Sequence, residues 1–221
     1  MAVTAQTIIS RVRTQLIDEL PTKRWTDDEL LRWLSDAQRT VVAIKPSQGL
    51  VQTSIQLVPG TMQTLPPGMF LLLDIQRNLG LDGNTPGRAV TQISRENLDR
   101  VEPNWHASLR SDVTLHYLYD TKQPLVFFVY PPSTGQNWLD LNYAQTPPDF
   151  TALTDPMTIE VLYQTALFDY VMFRAHQKDS DYSAGESKAQ VYLALFQMFV
   201  GVHEGAKVED APPDPDRGAV A

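Results

Sequence analysis

The stretch Val41-Val42-Ala43-Ile44-Lys45-Pro46-Ser47-Gln48-Gly49-Leu50-Val51-Gln52-Thr53-Ser54-Ile55-Gln56-Leu57 changes its hydrophobic period half way along. Up to Ile44 it continues a helical stripe made by Leu30, Leu34, Ala37, Val41 and Ile44, with Trp33 beside it. From Gly49 the period becomes two: Val51, Thr53, Ile55 and Leu57 alternate with Gln52, Ser54 and Gln56, as in a half-buried strand. The break falls at Lys45-Pro46, because a residue preceding proline avoids the α region. The chain is therefore read as helical before this point and β after it.

Working back from the break, Thr26-Asp27-Asp28-Glu29 has the form of a capping box. The Thr26 hydroxyl accepts from the Glu29 amide, and Glu29 reaches back to the cap. The aspartates place negative charge on the positive end of the helix dipole. Before Pro21, Ile9, Val12, Leu16 and Leu20 recur at spacings of three and four, which predicts a first helix from Thr4 to about Leu20. The two helices are expected to form a hairpin.

Beyond the break, Pro59-Gly60 supplies a turn, Met69 to Asn78 a strand, Asp82-Gly83-Asn84 a loop tip and Arg88 to Ser94 a return strand. Ser94 is expected to cap one helical turn running to Arg100. Val113 to Tyr119, Leu125 to Tyr130 and Asn137 to Ala144 read as three further strands, most simply a meander. In the last, Leu139, Leu141 and Tyr143 share one face and Trp138, Asp140 and Asn142 the other.

After Pro147-Pro148 the helical period returns. Asp155 is expected to cap a third helix with Pro156 at its first position, followed by Ile159, Leu162, Ala166, Tyr170 and Phe173 as far as Gln177. A fourth, Ser183 to about Val202, carries Ala189, Tyr192, Leu195, Phe196 and Phe199. From Glu204 to Ala221 the sequence is rich in proline and acid and has little apolar surface to offset its ordering entropy. The expected fold is α+β: a four-helix bundle-like scaffold made of N- and C-terminal helical hairpins (1–48 and 152–203), an inserted antiparallel β region (49–151), and an extended acidic, Pro-rich C-terminal arm (204–221).

Composition narrows the function classes. At 221 residues the chain can bury a core without covalent staples, and the absence of cysteine excludes disulfides, thiolate zinc sites and thiol catalysis. Met1 to Ser10 has no signal-peptide pattern and no run of about eighteen apolar residues occurs, so an unexported chain with no membrane partner is expected. With 18 basic against 26 acidic residues and a net charge of −8, DNA binding through a basic face is not expected.

Constellations that carry chemistry are weak. His176, Asp179 and Asp181 lack the spacing of a helical metal site. Glu160 and Asp169 stand nine residues apart and project from different sides of a helix. His106, Ser108 and Asp112 crowd into one loop, whereas triad members come from separate elements. No phosphate-binding glycine loop or nucleophile elbow occurs. No catalytic residue, cofactor or metal is therefore expected. Trp105, Tyr117, Tyr119, Phe128 and Trp138 offer either a platform for a sugar or protein surface, or ordinary core.

Three stretches together resemble the head-to-tail adaptor (connector) proteins of tailed bacteriophages. They are Arg24-Trp25-Thr26-Asp27-Asp28-Glu29-Leu30-Leu31-Arg32-Trp33-Leu34, Tyr143-Ala144-Gln145-Thr146-Pro147-Pro148, and Tyr170-Val171-Met172-Phe173-Arg174-Ala175-His176-Gln177-Lys178-Asp179-Ser180-Asp181-Tyr182. The likeness extends to about His203 and marks a scaffold, not a reaction.

The resemblance implies a structural virion protein assembled in the host cytoplasm into a homo-oligomeric ring, a dodecamer, under the portal protein. The ring would contact a tail or nozzle protein and continue the channel through which genome DNA passes without specific binding. Twelve copies would carry on the order of a hundred negative charges, which suits such a lumen. The arm, through Val208, Pro212, Pro213, Asp214, Asp216, Arg217 and Val220, is expected to order on the portal. Trp105 and Trp138 are expected to contact the tail or a neighbour. Other neck or tail-tube positions, and a glycan- or fibre-binding module, stay open as alternatives.

Overall fold

A computed structural model of the chain describes residues 3–18, 23–179 and 183–209, without the side chains of 183–184 and 202–209. It divides into two compact units, one made of the residues up to Ile44 and from Pro147 onward, the other of Lys45–Thr146.

The first unit holds α1 (Ala5–Leu16), α2 (Asp27–Ile44), α4 (Gln164–Lys178) and α5 (Ser183–Glu209); the second holds α3 (Arg95–Val101). In α1, Ala5, Ile8, Ile9 and Val12 form the buried stripe. The helix stops earlier than its pattern suggests, because Ile17 turns left-handed at φ 55° and the amides of Ile17 and Asp18 fold back on Thr14 and Arg13. Leu20 lies outside the described residues. α2 buries Leu30, Leu34, Ala37 and Val41, and its Thr26 hydroxyl accepts from the Glu29 amide at 3.2 Å.

The expected start of the third helix is corrected. α4 begins only at Gln164, preceded by a 3-10 turn at Val161–Tyr163. The segment that holds Asp155 and Pro156 caps α1 instead: the amides of Ala5 and Gln6 donate to the carbonyls of Asp155 (3.0 Å) and Leu153 (2.8 Å). These are two of the donors that a helix N-terminus leaves unpaired. The Asp155 carboxylate turns back on the amides of Thr151 and Ala152.

The four-helix bundle-like scaffold is corrected as well. The structure is a mixed α+β fold with five α-helices and seven strands in two sheets among the described residues. α4 is the hub, packed against α5, α2 and α1. α5 lacks the one-sided stripe of a bundle helix: Ala189, Phe196 and Val200 are buried, yet Val191, Leu195 and Met198 are exposed.

In the second unit the sheets run β1 (Leu50–Gln56), β7 (Trp138–Gln145), β3 (Met69–Asn78), and β2 (Gly60–Thr64), β6 (Val126–Ser133), β5 (His116–Tyr119), β4 (Thr91–Gln92). Leu72, Ile75, Leu139, Leu141 and Tyr143 of the first sheet share one core with Leu65, Tyr117, Phe127 and Val129. The alternation read in β7 holds: Leu139, Leu141 and Tyr143 are buried, Trp138, Asp140 and Asn142 half-buried.

Neither the meander nor the wholly antiparallel region survives. β7 leaves its sequence neighbour β6 and inserts between β1 and β3, while β4 runs parallel to β5. The return strand after the loop tip reduces to amide contacts around Arg88 and Val90 before the chain crosses to the other sheet. Ser94 caps α3 as read, accepting from the Asn97 amide.

Candidate functional site

The first and third of the quoted stretches meet at one end of the helical unit. Arg13 and Asp18, both nearly buried, pair at 2.7 Å, and the Asp18 carboxylate also accepts the amides of Arg24 (2.6 Å) and Trp25 (3.4 Å). Arg13 donates onward to the Trp25 carbonyl (3.0 Å) and to Asp27. That hydrogen bond from Arg13, with help from Lys23, holds the Asp27 carboxyl below the ordinary carboxylate range.

Trp25 is thereby fixed edge-on to Trp33 at 5.5 Å, with Arg24 and Lys178 over its ring at 5.3 and 5.1 Å. Arg24 also pairs with Asp179, and Lys178 with Glu29. The Glu29 carboxylate is thus committed to Lys178 and not to closing a capping box. Among the second stretch and the residues after it, Asp149 pairs with Arg39, and the Phe150 amide donates to Ser35 of α2 (3.0 Å). These contacts tie turns together and hold no reacting group.

The aromatic residues of the β unit do not form one platform. Trp105 is fully buried on a 3-10 turn, donating from Nε1 to Asp99 at 2.8 Å and packed against Leu98, Leu118 and Phe128. Of the two readings, surface platform or ordinary core, its burial matches core: it locks α3 onto the second sheet. Tyr117 is buried with its hydroxyl on Asp74, and burial pushes that phenol up to about 12. The Tyr119 hydroxyl donates to the Pro124 carbonyl and accepts from the Leu72 amide. Trp138 remains half-buried, roofed by Gly83. Gly83 sits at φ +74°, and a Cβ there would meet the Trp138 ring at 3.0 Å, so the loop tip needs glycine.

The loop triad is not assembled. His106 Nδ1 bonds to the Thr61 hydroxyl (2.8 Å) while its ring stacks on Trp105; Ser108 donates to Glu102, and Asp112 accepts from Thr134. His176 stacks on Tyr192, and burial, then Lys188, lowers its pKa. Asp179 serves Arg24, and Asp181 lies outside the described residues. Among the described residues no group of three or more His, Asp or Glu is placed to hold a metal, and no helix is long and apolar enough to cross a membrane.

Burial raises the pKa of the Asp169 carboxyl to about 6, opposed by the charge of Arg11. Glu160 lies on the segment before the 3-10 turn and not on a shared helix.

Of the proposed portal contacts, Val208 has its backbone in α5, while Pro212, Pro213, Asp214, Asp216, Arg217 and Val220 lie outside the described residues. Sequence reasoning missed the helix reaching Glu209, although Val202 and Val208 continue the apolar content of α5.

The family model of the SU10 adaptor protein matches residues 3–214. No curated protein matches the chain.

Proposed function

Because the chain belongs to the SU10 adaptor protein family, which makes it a structural phage adaptor of the virion, we propose that it forms a ring under the portal and joins portal to tail. The observation that carries this reading is the family match, which spans both units and runs past the end of α5. The fold supports it. Charged ties brace the turns within the helical unit, and a shared apolar core braces the β unit. A net charge of −8 per chain suits a lumen that passes DNA without retaining it.

In this reading α5 projects the C-terminal segment toward the portal. Val208 opens the contact and Pro212, Pro213, Asp214, Asp216, Arg217 and Val220 complete it. A segment that orders on its partner gains a wide contact while the free chain remains soluble. Trp138 is left as the aromatic contact toward a tail protein or neighbour; burial of Trp105 removes half of the surface a glycan module would need.

A chain ending at Glu209 removes the part of the arm beyond α5, with every proposed portal contact except Val208. It is expected to keep the full chain's circular dichroism and thermal midpoint yet fail to co-sediment with portal rings. Undiminished co-sedimentation would overturn the portal-binding assignment.

A further inference from the structure

The two sheets end in four strand edges, and three of them are closed to a further strand. β3 has three register shifts and is covered along its length. Its Asn78 amide donates to Arg88 (2.9 Å), the Val90 amide donates to Gln76 (3.1 Å), and the Leu72 amide is taken by the Tyr119 hydroxyl (3.2 Å). β2 is five residues long, shifted between Gly60 and Met62, and flanked by Pro59 and by Pro66-Pro67. β4 has two residues and runs almost directly into α3. Short, bulged, proline-flanked or covered edges are how sheets avoid further pairing.

β1 has none of these protections. It runs seven residues in unbroken register with β7, from Leu50 opposite Ala144 to Gln56 opposite Trp138. It contains no charge, no proline and no glycine. The Leu57 amide donates to the Asn137 carbonyl beside β7, so by alternation the backbone groups of Gln52, Ser54 and Gln56 point away from β7, where the sheet has no further strand. On the core side, Val51 and Ile55 pack against the sandwich core but remain only partly covered.

We infer that β1 is an interaction edge whose occupant is the β1 strand of a second copy, added antiparallel about Thr53. Three features favour this occupant. The described chain offers one open edge, so strand addition between copies joins β1 to β1. Centring on Thr53 sets Val51 opposite Ile55 of the second copy, so both partly covered apolar residues gain a cross-strand neighbour. The edge strand also carries no charge in a chain of net charge −8, and the Asp140 carboxylate on β7 accepts from the Gln52 side-chain amide at 2.8 and 3.0 Å. No like charges on β1 itself oppose the pairing.

A two-fold contact closes at two chains and builds no ring. It therefore belongs to the free chain, where it covers an edge that would otherwise recruit unrelated strands, and it stands independently of the portal reading. One strand pair per copy is a small contact, so the dimer is weak and concentration-dependent.

The chain has no cysteine of its own, so an introduced one reports without background. Because the backbone groups of Thr53 face β7, the Thr53 pair across the two-fold is non-hydrogen-bonded, with Cα atoms about 4.5 Å apart, within disulfide reach. Under mild oxidation, full-length Thr53→Cys is expected to form a covalent dimer by itself. Val51→Cys and Ile55→Cys are each expected to cross-link poorly alone but readily when mixed. Ser54→Pro removes an edge amide while sparing the bonds to β7; it should weaken dimerisation in sedimentation roughly tenfold or more without changing the thermal midpoint. A wild-type chain that stays monomeric at about 100 μM, or a Thr53→Cys chain that does not cross-link, overturns the inference. So does a dimer that Ser54→Pro leaves intact.

Discussion

In the helical unit the connections between turns are ionic: Arg13 joins Asp18 and Asp27, Arg24 joins Asp179, and Lys178 joins Glu29. In the β unit the connections between sheets are neutral and buried. Asn78 of β3 donates to the carbonyls of Arg88 (2.9 Å) and Thr114 (2.8 Å) and accepts the Thr114 amide (2.8 Å). Asn137 donates to the Thr114 hydroxyl (3.3 Å) and accepts from Ser133 (2.6 Å), all with side chains out of water. The two devices respond to different variables. The exposed pairs, Arg24–Asp179 and Lys178–Glu29, weaken with salt and with protonation and the nearly buried Arg13–Asp18 pair is screened less, whereas neutral bonds in a low-dielectric interior respond to neither but are costly to leave half made.

The largest effect expected from this contrast is at Asn78. Asn78→Ala leaves the Thr114 amide and the Thr114 carbonyl without partners inside the sandwich and removes one of the two bonds to the Arg88 carbonyl, whose bond from the residue-78 backbone amide remains; the expected loss is about 3 kcal/mol. Denaturant titration of the full chain should show it as a lower midpoint, with the same loss at low and high salt. A loss that shrinks with added salt would mean that the network is not the neutral tie described here.

Asp169 sharpens the other side of the comparison. Its carboxyl, at about 6 in the folded chain against an ordinary 3.8, binds its proton more tightly when folded. The stability it contributes is therefore fully present below pH 3.8 and is lost as the pH rises through 6. The whole displacement, with the attraction to Arg11 already included, corresponds to roughly 3 kcal/mol, which local relaxation and partial access to water reduce to about 1 kcal/mol. Asp169→Asn should thus raise stability at pH 7 by that amount, and the gain should shrink through pH 4 and vanish about one pH unit below 3.8. Equal gains at both ends of this range would place the effect in packing and not in ionisation.

What could be read beforehand follows the range of the interaction. Thr26 and Ser94 cap their helices as expected, because a cap is decided within four residues. Met69–Asn78 was bounded correctly, and the faces of β7 follow from alternation alone. Alternation says which face a residue occupies and is silent on which strand lies alongside. The insertion of β7 between β1 and β3 and the parallel β4–β5 pair were therefore not legible. Asp155-Pro156 carries a helix-start signal that a distant partner overrides, since α1 needs the carbonyls of Leu153 and Asp155. Trp105 reads as available until Asp99 and α3 close over it. The Arg24 and Lys178 stretches were recognisable separately, but their meeting depends on how α4 packs on α2.

The smallest effect concerns that meeting point. Lys178 and Glu29 are joined across two helix ends, and the lysine is 55% exposed. Water and counter-ions screen a pair of this kind, so its coupling should be about 0.5 kcal/mol. A double-mutant cycle of Glu29→Gln and Lys178→Met isolates it from the separate packing of the lysine over Trp25. Raising the salt to about 1 M shortens the screening length to roughly 3 Å, so the coupling should fall close to zero while the Asn78→Ala loss stays unchanged. If the coupling instead persists undiminished at high salt, the Lys178–Glu29 contact is a hydrogen bond shielded from counter-ions. The helix-end tie would then be of the same salt-insensitive kind as the network in the β unit.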